Sequence, residues 1–154
     1  MMDVSIDTKA FSDVCDRMSE IIKESIVEEF VEWAKRDDEY LRANDGFNDH
    51  TGNLRSSLGA AVFDGEDIVF TTPVGVVLSG TAGSDAGRRA VRNAVQDLQG
   101  RIAKVMVAGM DYAQKVEDIE SKDVLESRRI QCERDAAGVI ERALENAARK
   151  MAEL

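Results

Sequence analysis

Four residues in the segment 49–57 have the side chains of a hydrolytic site. They are the only histidine, His50, its neighbour Asp49, and two serines, Ser56 and Ser57. A serine nucleophile needs a base within hydrogen-bond reach and a third group that orients the base. All four residues lie in one short stretch, and neither serine stands in a G-x-S-x-G turn. We therefore expect no catalytic residue here and no enzyme of the Ser–His class.

The histidine and the two cysteines are too few for a metal site. Zinc requires several His or Cys ligands at short spacings, whereas Cys15 and Cys132 lie far apart in the chain. The carboxylates do not follow the spacing of a calcium loop either. Because both cysteines stand within apolar helical patterns, we interpret them as reduced thiols of the core. We expect neither a metal nor a cofactor.

Three glycines, Gly80, Gly83 and Gly87, could form a phosphate-binding loop. No Gly-Lys-Ser/Thr follows them, and their spacing is not G-x-G-x-x-G, so the pattern does not predict nucleotide binding. We interpret the segment as a helix over 84–99, with Ser84 as its N-cap and its end at Gly100. Its predicted buried stripe consists of Val91, Ala94, Val95 and Leu98.

Three arginines of this predicted helix, Arg88, Arg89 and Arg92, lie mostly on its outer side. One interpretation is a solvated face. The other is a contact with an acidic surface, such as the first helix of an adjacent subunit. Both interpretations stay open from the sequence.

The charge of the chain restricts its partners. Thirty acidic and twenty basic residues give a net charge of −10, which opposes sequence-specific binding to nucleic acid and adhesion to anionic membranes. An acidic surface still suits a protein past which DNA must slide without sticking. The sequence shows neither a membrane-spanning apolar run nor a signal-peptide pattern, so we expect the protein to be in the cytoplasm where it is made.

The elements that must position these residues form a single α+β domain over 1–154. A helix over 8–43, with Asp7 or Thr8 as its cap, is predicted by apolar residues three and four positions apart. At about 50 Å it is longer than a domain about 40 Å across. Either a C-terminal helix or a neighbouring subunit covers its apolar stripe, or the helix is kinked and packs within one chain. The stripe comprises Phe11, Val14, Cys15, Met18, Ile21, Ile22, Ile26, Phe30, Trp33 and Ala34.

A small antiparallel sheet of about three strands follows. An Asp-Gly turn at Asp64 predicts a β-hairpin over 58–72, which Pro73 ends. A third strand over 101–108 follows the inserted helix, and residues 110–127 form a polar turn or a helix, with Lys122 to Leu125 extended. A C-terminal helix is predicted over 127–153. Its apolar residues are Ile130, Ala136, Ala137, Ile140, Ala143, Leu144, Ala147 and Met151.

Two segments of the chain, 50–62 and 109–125, resemble the paired motifs of a tail-component family from long-tailed bacteriophages. Members of this family have a long N-terminal helix, an "hTGnLr-S" entry into a strand, a later strand followed by "Y-A-x-x-V-E", and a C-terminal helix. Two departures are the helical insertion at 80–100 and Lys115 at a position where an aromatic residue is common. The matching residues are Thr51, Gly52, Asn53, Leu54, Arg55 and Ser57, followed by Tyr112, Ala113, Val116 and Glu117.

The resemblance implies a virion structural protein of the head-to-tail junction or tail-completion region. Such a protein assembles in the host cytoplasm as a ring of six subunits around the channel through which DNA leaves the capsid. Its partners would be copies of itself and neighbouring connector or tail proteins. Two other classes stay open. An acidic cytoplasmic adaptor or regulatory binding protein would be monomeric or dimeric, and a small enzyme would lose its activity on His50→Ala.

Overall fold

The chain folds as the α+β architecture that the sequence predicts, with a long N-terminal helix, a three-stranded sheet and a C-terminal helix. The computed structural model describes residues 7–43, 49, 51–72, 78–120 and 124–154, without the side chains of residues 117, 119 and 120. The elements are α1 (Thr8–Ala43), α2 (Asn53–Ser56), β1 (Leu58–Asp64), β2 (Asp67–Thr71), α3 (Thr81–Leu98), β3 (Ala103–Ala108), α4 (Ala113–Glu120) and α5 (Glu126–Met151).

Helix α1 begins at a side-chain cap. Asp7 Oδ1 accepts hydrogen bonds from the backbone N–H groups of Lys9 and Ala10, at 3.0 and 3.1 Å, so Asp7 is the cap among the two predicted candidates. The helix then continues for 36 residues, which corresponds to about 54 Å. Residues 7–20 are exposed, and burial begins only at Ile21. Helix α1 therefore does not pack along its whole length within the described chain.

Strand β1 is the centre of the sheet, whose order is β2-β1-β3 with both neighbours antiparallel. The hairpin turn follows Asp64, and Gly65 adopts a positive φ of 65° there, as the Asp-Gly signal predicts. The third strand pairs with β1, with Ala61 opposite Val105. Pro73, which is predicted to end the hairpin, lies outside the described residues.

Helices cover both faces of β1. Ala60 and Val62 pack against α1 on one face, whereas Ala61 and Phe63 pack on the other face with Val91 of α3. All four β1 side chains are completely buried. A strand covered on both faces carries a continuous apolar run instead of alternating residues, which explains the sequence of this strand.

Helix α5 lies antiparallel along α1. Near the C-terminal end of α5, Lys150 pairs with Glu28 at 2.8 Å, and near its N-terminal end Arg128 pairs with Asp37 at 2.5 Å. Residues further along α5 therefore contact residues nearer the start of α1.

Within the described ranges, every helix is too short or too polar to span a membrane.

Two local predictions are wrong. Helix α3 begins at Thr81 with Gly80 in the N-cap position, not at Ser84, because a side chain from a distant segment caps it, as described below. Cys15 is exposed and therefore not a core thiol, since it lies in the turns of α1 that nothing covers, whereas Cys132 is buried.

The segment after β3 contains the helix α4, one of its two predicted alternatives. Of the stretch predicted as extended, Lys122 and Asp123 lie outside the described residues. Val124 and Leu125 form a bend before α5.

Candidate assembly surfaces

The two segments that carry the family resemblance are adjacent in the fold. Leu54 from the first segment and Ala113 from the second are buried in one apolar cluster, against which Val116 packs. The backbone N–H of Gly109 donates a hydrogen bond to the carbonyl oxygen of Ser57 at 3.2 Å. We call this contact the motif junction. It consists of residues 51–57 and 109–116.

Polar residues at and just before the start of the first segment cap the short helix α2. The carboxylate of Asp49 accepts a hydrogen bond from the backbone N–H of Arg55 at 2.8 Å, and Thr51 Oγ1 accepts one from the N–H of Asn53 at 3.3 Å. Gly52, whose φ is 74°, forms the bend between Thr51 and Asn53. The segment that holds hydrolase-type side chains thus directs the chain into β1. His50 lies outside the described residues.

Tyr112 connects the two halves of the motif junction. Partial burial and the nearby charge of Asp49 raise the pKa of the Tyr112 hydroxyl above its ordinary value, and a side-chain hydrogen bond with Thr51 acts in the opposite direction. The hydroxyl therefore stays protonated at neutral pH and acts as a hydrogen-bonding group. The side chain of Glu117, the last motif residue, is outside the described structure.

The backbone of helix α3 packs directly against the backbone of the motif junction, with no room for a Cβ at two glycines. A Cβ at Gly80 would overlap the carbonyl oxygen of Gly52, and a Cβ at Gly83 would overlap the backbone of Asn53. The side chain of Asn53 accepts a hydrogen bond from the N–H of Gly83 at 3.1 Å. Two of the three glycines that resemble a phosphate loop, Gly80 and Gly83, are therefore required for close helix packing.

The second motif segment approaches α3 just as closely. A Cβ at Gly109 would overlap the backbone of Ala86 and Gly87. The insertion at 80–100 is thus built into the motif junction from both sides, and it is not an appendage on the surface.

The three arginines of α3 extend into solvent. Arg88, Arg89 and Arg92 are all exposed, as predicted, and Arg88 lies 3.7 Å from Asp85 on the same helix. The predicted buried side of α3 is also present, because Val91 is buried and Ala94, Val95 and Leu98 pack against the same cluster. The structure leaves both interpretations of the arginines open.

The N-terminal turns of α1 form an exposed projection that we call the arm, residues 8–20. Phe11, Val14 and Met18 are 67%, 56% and 40% exposed. Their spacing of three and four places them on one side of the helix. Cys15 lies beside them and is also exposed.

A second apolar surface lies on α5, and we call it the α5 stripe. It consists of Ala137, Ile140, Leu144 and Ala148, which line a shallow open groove. Leu144 is 48% exposed. The predicted apolar residues of this helix include Ala137, Ile140 and Leu144 but not Ala148. Only the structure separates the α5 stripe from Ala143 and Ala147, which are buried.

A buried ion cluster lies between α1, the sheet and α5. The carboxylate of Asp37, which is fully buried, binds Arg128 of α5 at 2.5 Å and also binds Lys104 of β3. The ammonium of Lys104 lies 4.1 Å from the ring centroid of Trp33. The cluster thus connects α1, β3 and α5.

Cys132 completes this cluster. Its Sγ lies 3.1 Å from Lys104 Nζ and 3.5 Å from Asp37 Oδ2. Burial raises the pKa of the Cys132 thiol, although the neighbouring Lys104 opposes this effect. A protonated, buried thiol is a poor nucleophile, so the arrangement favours a structural role. Sequence reasoning missed the cluster, although a signal was present: Asp37 stands on the apolar side of α1 between Trp33 and Leu41.

The chemistry available within the described ranges is limited. No group of three or more His, Cys, Asp or Glu side chains there is arranged to hold a metal ion. The residues that the structure does bring together, at the motif junction, make packing and capping contacts. The exposed apolar surfaces of α1 and α5 are suited to protein–protein contact.

Comparisons with known proteins add no relative. No protein-family model matches the chain, and neither a curated protein nor a solved structure has significant similarity to it.

Proposed function

We propose that this protein is a structural subunit of the head-to-tail connector or tail-completion region of a long-tailed bacteriophage. It assembles as a ring around the DNA channel and has no catalytic activity. The observation that carries this proposal is the arm, because it exposes an apolar stripe that nothing in the described chain covers. The family, the location in the virion and the ring of six subunits come from the resemblance of the motif residues.

The exposed stripe of the arm favours a partner on energetic grounds. Full burial of a Phe, Val or Met side chain contributes about 1.5–3 kcal/mol relative to exposure. A helical segment of this length is also marginal in water without tertiary contacts. Contact with a neighbouring subunit would stabilise the arm on both counts.

A contact made by the arm also fits a ring. The arm is at one end of the subunit, and a neighbour that receives it on a different surface makes a heterologous contact. Heterologous contacts that close on themselves produce cyclic oligomers. Each subunit carries a net charge of −10, and an acidic lumen in such a ring would repel the phosphate backbone of passing DNA.

Native mass spectrometry and negative-stain microscopy of the purified chain test the proposal. We expect closed rings, with six copies as the predicted number. A chain that stays monomeric or dimeric at the concentrations used for microscopy would contradict the ring and would favour the acidic adaptor. Specific labelling of purified virions at the head–tail junction would then test the location.

A further inference from the structure

We propose that the α5 stripe is the surface that receives the arm of the neighbouring copy. This inference rests on the proposed function, because it identifies the partner surface within the ring. Both surfaces are exposed, apolar and helical, and each occupies one side of its helix. The contact would be a helix–helix packing between α1 of one subunit and α5 of the next.

The dimensions of the two surfaces agree. From Phe11 to Met18 the arm stripe extends about 10 Å, and from Ala137 to Ala148 the α5 stripe extends about 16 Å. Alanines at both ends of the α5 stripe leave room for a large side chain such as Phe11. Small residues on one helix also allow the axes of two helices to approach closely.

The arm cannot reach the α5 stripe of its own chain. Glu29 of α1 lies beside α5 at the level of the stripe, where it contacts Arg142 at 3.4 Å and Asn146 at 3.1 Å. Cys15 precedes Glu29 by about 21 Å along the same continuous helix. A contact between the arm and the stripe must therefore join two chains.

The charges beside the two stripes are complementary. At about 100° per residue, the acidic residues Asp13, Asp16 and Glu20 of the arm lie on the side opposite its apolar stripe. Arg17, which pairs with Glu20 at 3.1 Å, is nearer to the stripe.

The α5 stripe, in contrast, is bordered by Glu141 and Glu145, which line the same groove. An arm that packs there places Arg17 near these carboxylates and directs Asp13, Asp16 and Glu20 away from them. An approach by the opposite, acidic side of the arm would instead bring like charges together.

The stripe is also continuous with packing that already exists. Ala143 and Ala147 of α5 are buried, and Ile140 and Leu144 lie on the adjoining side of the helix. With an arm in place, α5 would be enclosed between its own α1 and the arm of its neighbour. This arrangement accounts for an apolar arc on α5 that is wider than one helix contact requires.

Disulfide crosslinking from the native Cys15 tests the inference. We would introduce single cysteines by Ala137→Cys, Leu144→Cys and Ala148→Cys, three positions that sample the length of the stripe. A disulfide forms only where two Cα atoms come within about 7 Å. Because every subunit would contribute one arm and one stripe, mild oxidation should produce a ladder of covalent oligomers in a non-reducing gel for at least one variant.

Two controls make the ladder specific. The same variants that also carry Cys15→Ser should give no ladder, which identifies Cys15 as the partner. Gln131→Cys places an exposed cysteine on another side of α5 and should also give none.

The remaining outcomes separate the two proposals. Rings without a ladder in any of the three variants would overturn the α5 stripe as the acceptor and leave the proposed function standing. Disulfide-linked dimers of the unmodified chain, formed through Cys15 of two arms, would also overturn it. Absence of any oligomer would contradict both proposals.

Discussion

The side chain of Asn53 caps a helix that begins 28 residues later in the sequence. Its Oδ1 accepts the hydrogen bond from the backbone N–H of Gly83, the third residue of α3, at 3.1 Å. An N-cap residue normally makes this bond from the position directly before its helix. Here Gly80 occupies that position and has no side chain, so the motif segment supplies the missing acceptor.

Replacement of the glycine at this contact should destabilise the fold. In Gly83→Ala, the new methyl group would overlap the backbone of Asn53, and we expect the free energy of unfolding to fall by about 3 kcal/mol. Gly138→Ala is the matched control in α5, where the nearest atom would be Arg142 Nη1 at 3.7 Å. Since alanine favours helix, this variant should gain up to about 1 kcal/mol. Urea unfolding at one protein concentration measures both, and equal effects would contradict the close packing.

Loss of the buried carboxylate of Asp37 should lower the free energy of unfolding more than loss of an exposed carboxylate does. Asp37→Ala leaves Lys104 and Arg128 buried without their shared partner, and we expect a decrease of about 3–5 kcal/mol in the free energy of unfolding. Glu20→Ala removes an exposed partner of Arg17 and should change stability by less than about 1 kcal/mol. If the two variants unfold at the same urea concentration, the ion cluster does not stabilise the fold.

The free energy of unfolding should decrease at alkaline pH because the thiol of Cys132 is buried. Burial raises the pKa of this thiol, so the folded state keeps its proton at a pH where the unfolded chain releases it. The resulting stabilisation is complete below the unfolded thiol pKa of about 8.5 and is lost as pH rises towards the folded value. In urea unfolding measured at several pH values, Cys132→Ser should show a smaller alkaline decrease than the unmodified chain. Cys15→Ser should retain the full decrease, because Cys15 is exposed.

A charge on the apolar side of the arm should prevent assembly without unfolding the subunit. Phe11→Asp places a carboxylate on a stripe that the proposed ring buries, which carries a desolvation cost. We expect native mass spectrometry to show monomers with an unchanged circular dichroism spectrum. Ser12→Asp adds the same charge on another side of the arm, away from this stripe, and should still form rings. Intact rings in Phe11→Asp would show that the arm is not an interface.

Charge reversal on α3 tests the second interpretation of its arginines. Arg88→Glu combined with Arg92→Glu should weaken assembly if these exposed side chains meet an acidic surface of the neighbouring subunit, and the effect should be greatest at low salt. Gln96→Glu, on an exposed position of the same helix, should have little effect. Unchanged assembly of the double variant would show that the arginines form a solvated face.

The sequence predicts the regular elements because their signals are local. Asp7 before an uninterrupted apolar periodicity defines the start of α1, and the Asp64-Gly65 pair defines the hairpin. Both signals act within a few residues of the structure that they predict. The positions of β1, β2, β3 and α5 follow for the same reason.

The sequence does not predict contacts between distant segments. Ser84 is a reasonable cap by its type, but the cap of α3 comes from Asn53. Cys15 and Cys132 stand in similar apolar patterns, but Cys15 is exposed and Cys132 is buried. The difference arises because α5 does not cover the part of α1 that contains Cys15. The motif residues are found by resemblance, whereas the close packing of Gly80, Gly83 and Gly109 requires coordinates.

The point at which the packing of α1 ends has a mechanical consequence for the proposed ring. Phe11 lies about 15 Å from Ile21, the first buried residue of α1, so the arm is a lever whose pivot is near Ile21. A tilt of the arm by about 10° at this point would displace Phe11 by about 3 Å. The diameter of the proposed ring would therefore depend on the place where α5 stops covering α1.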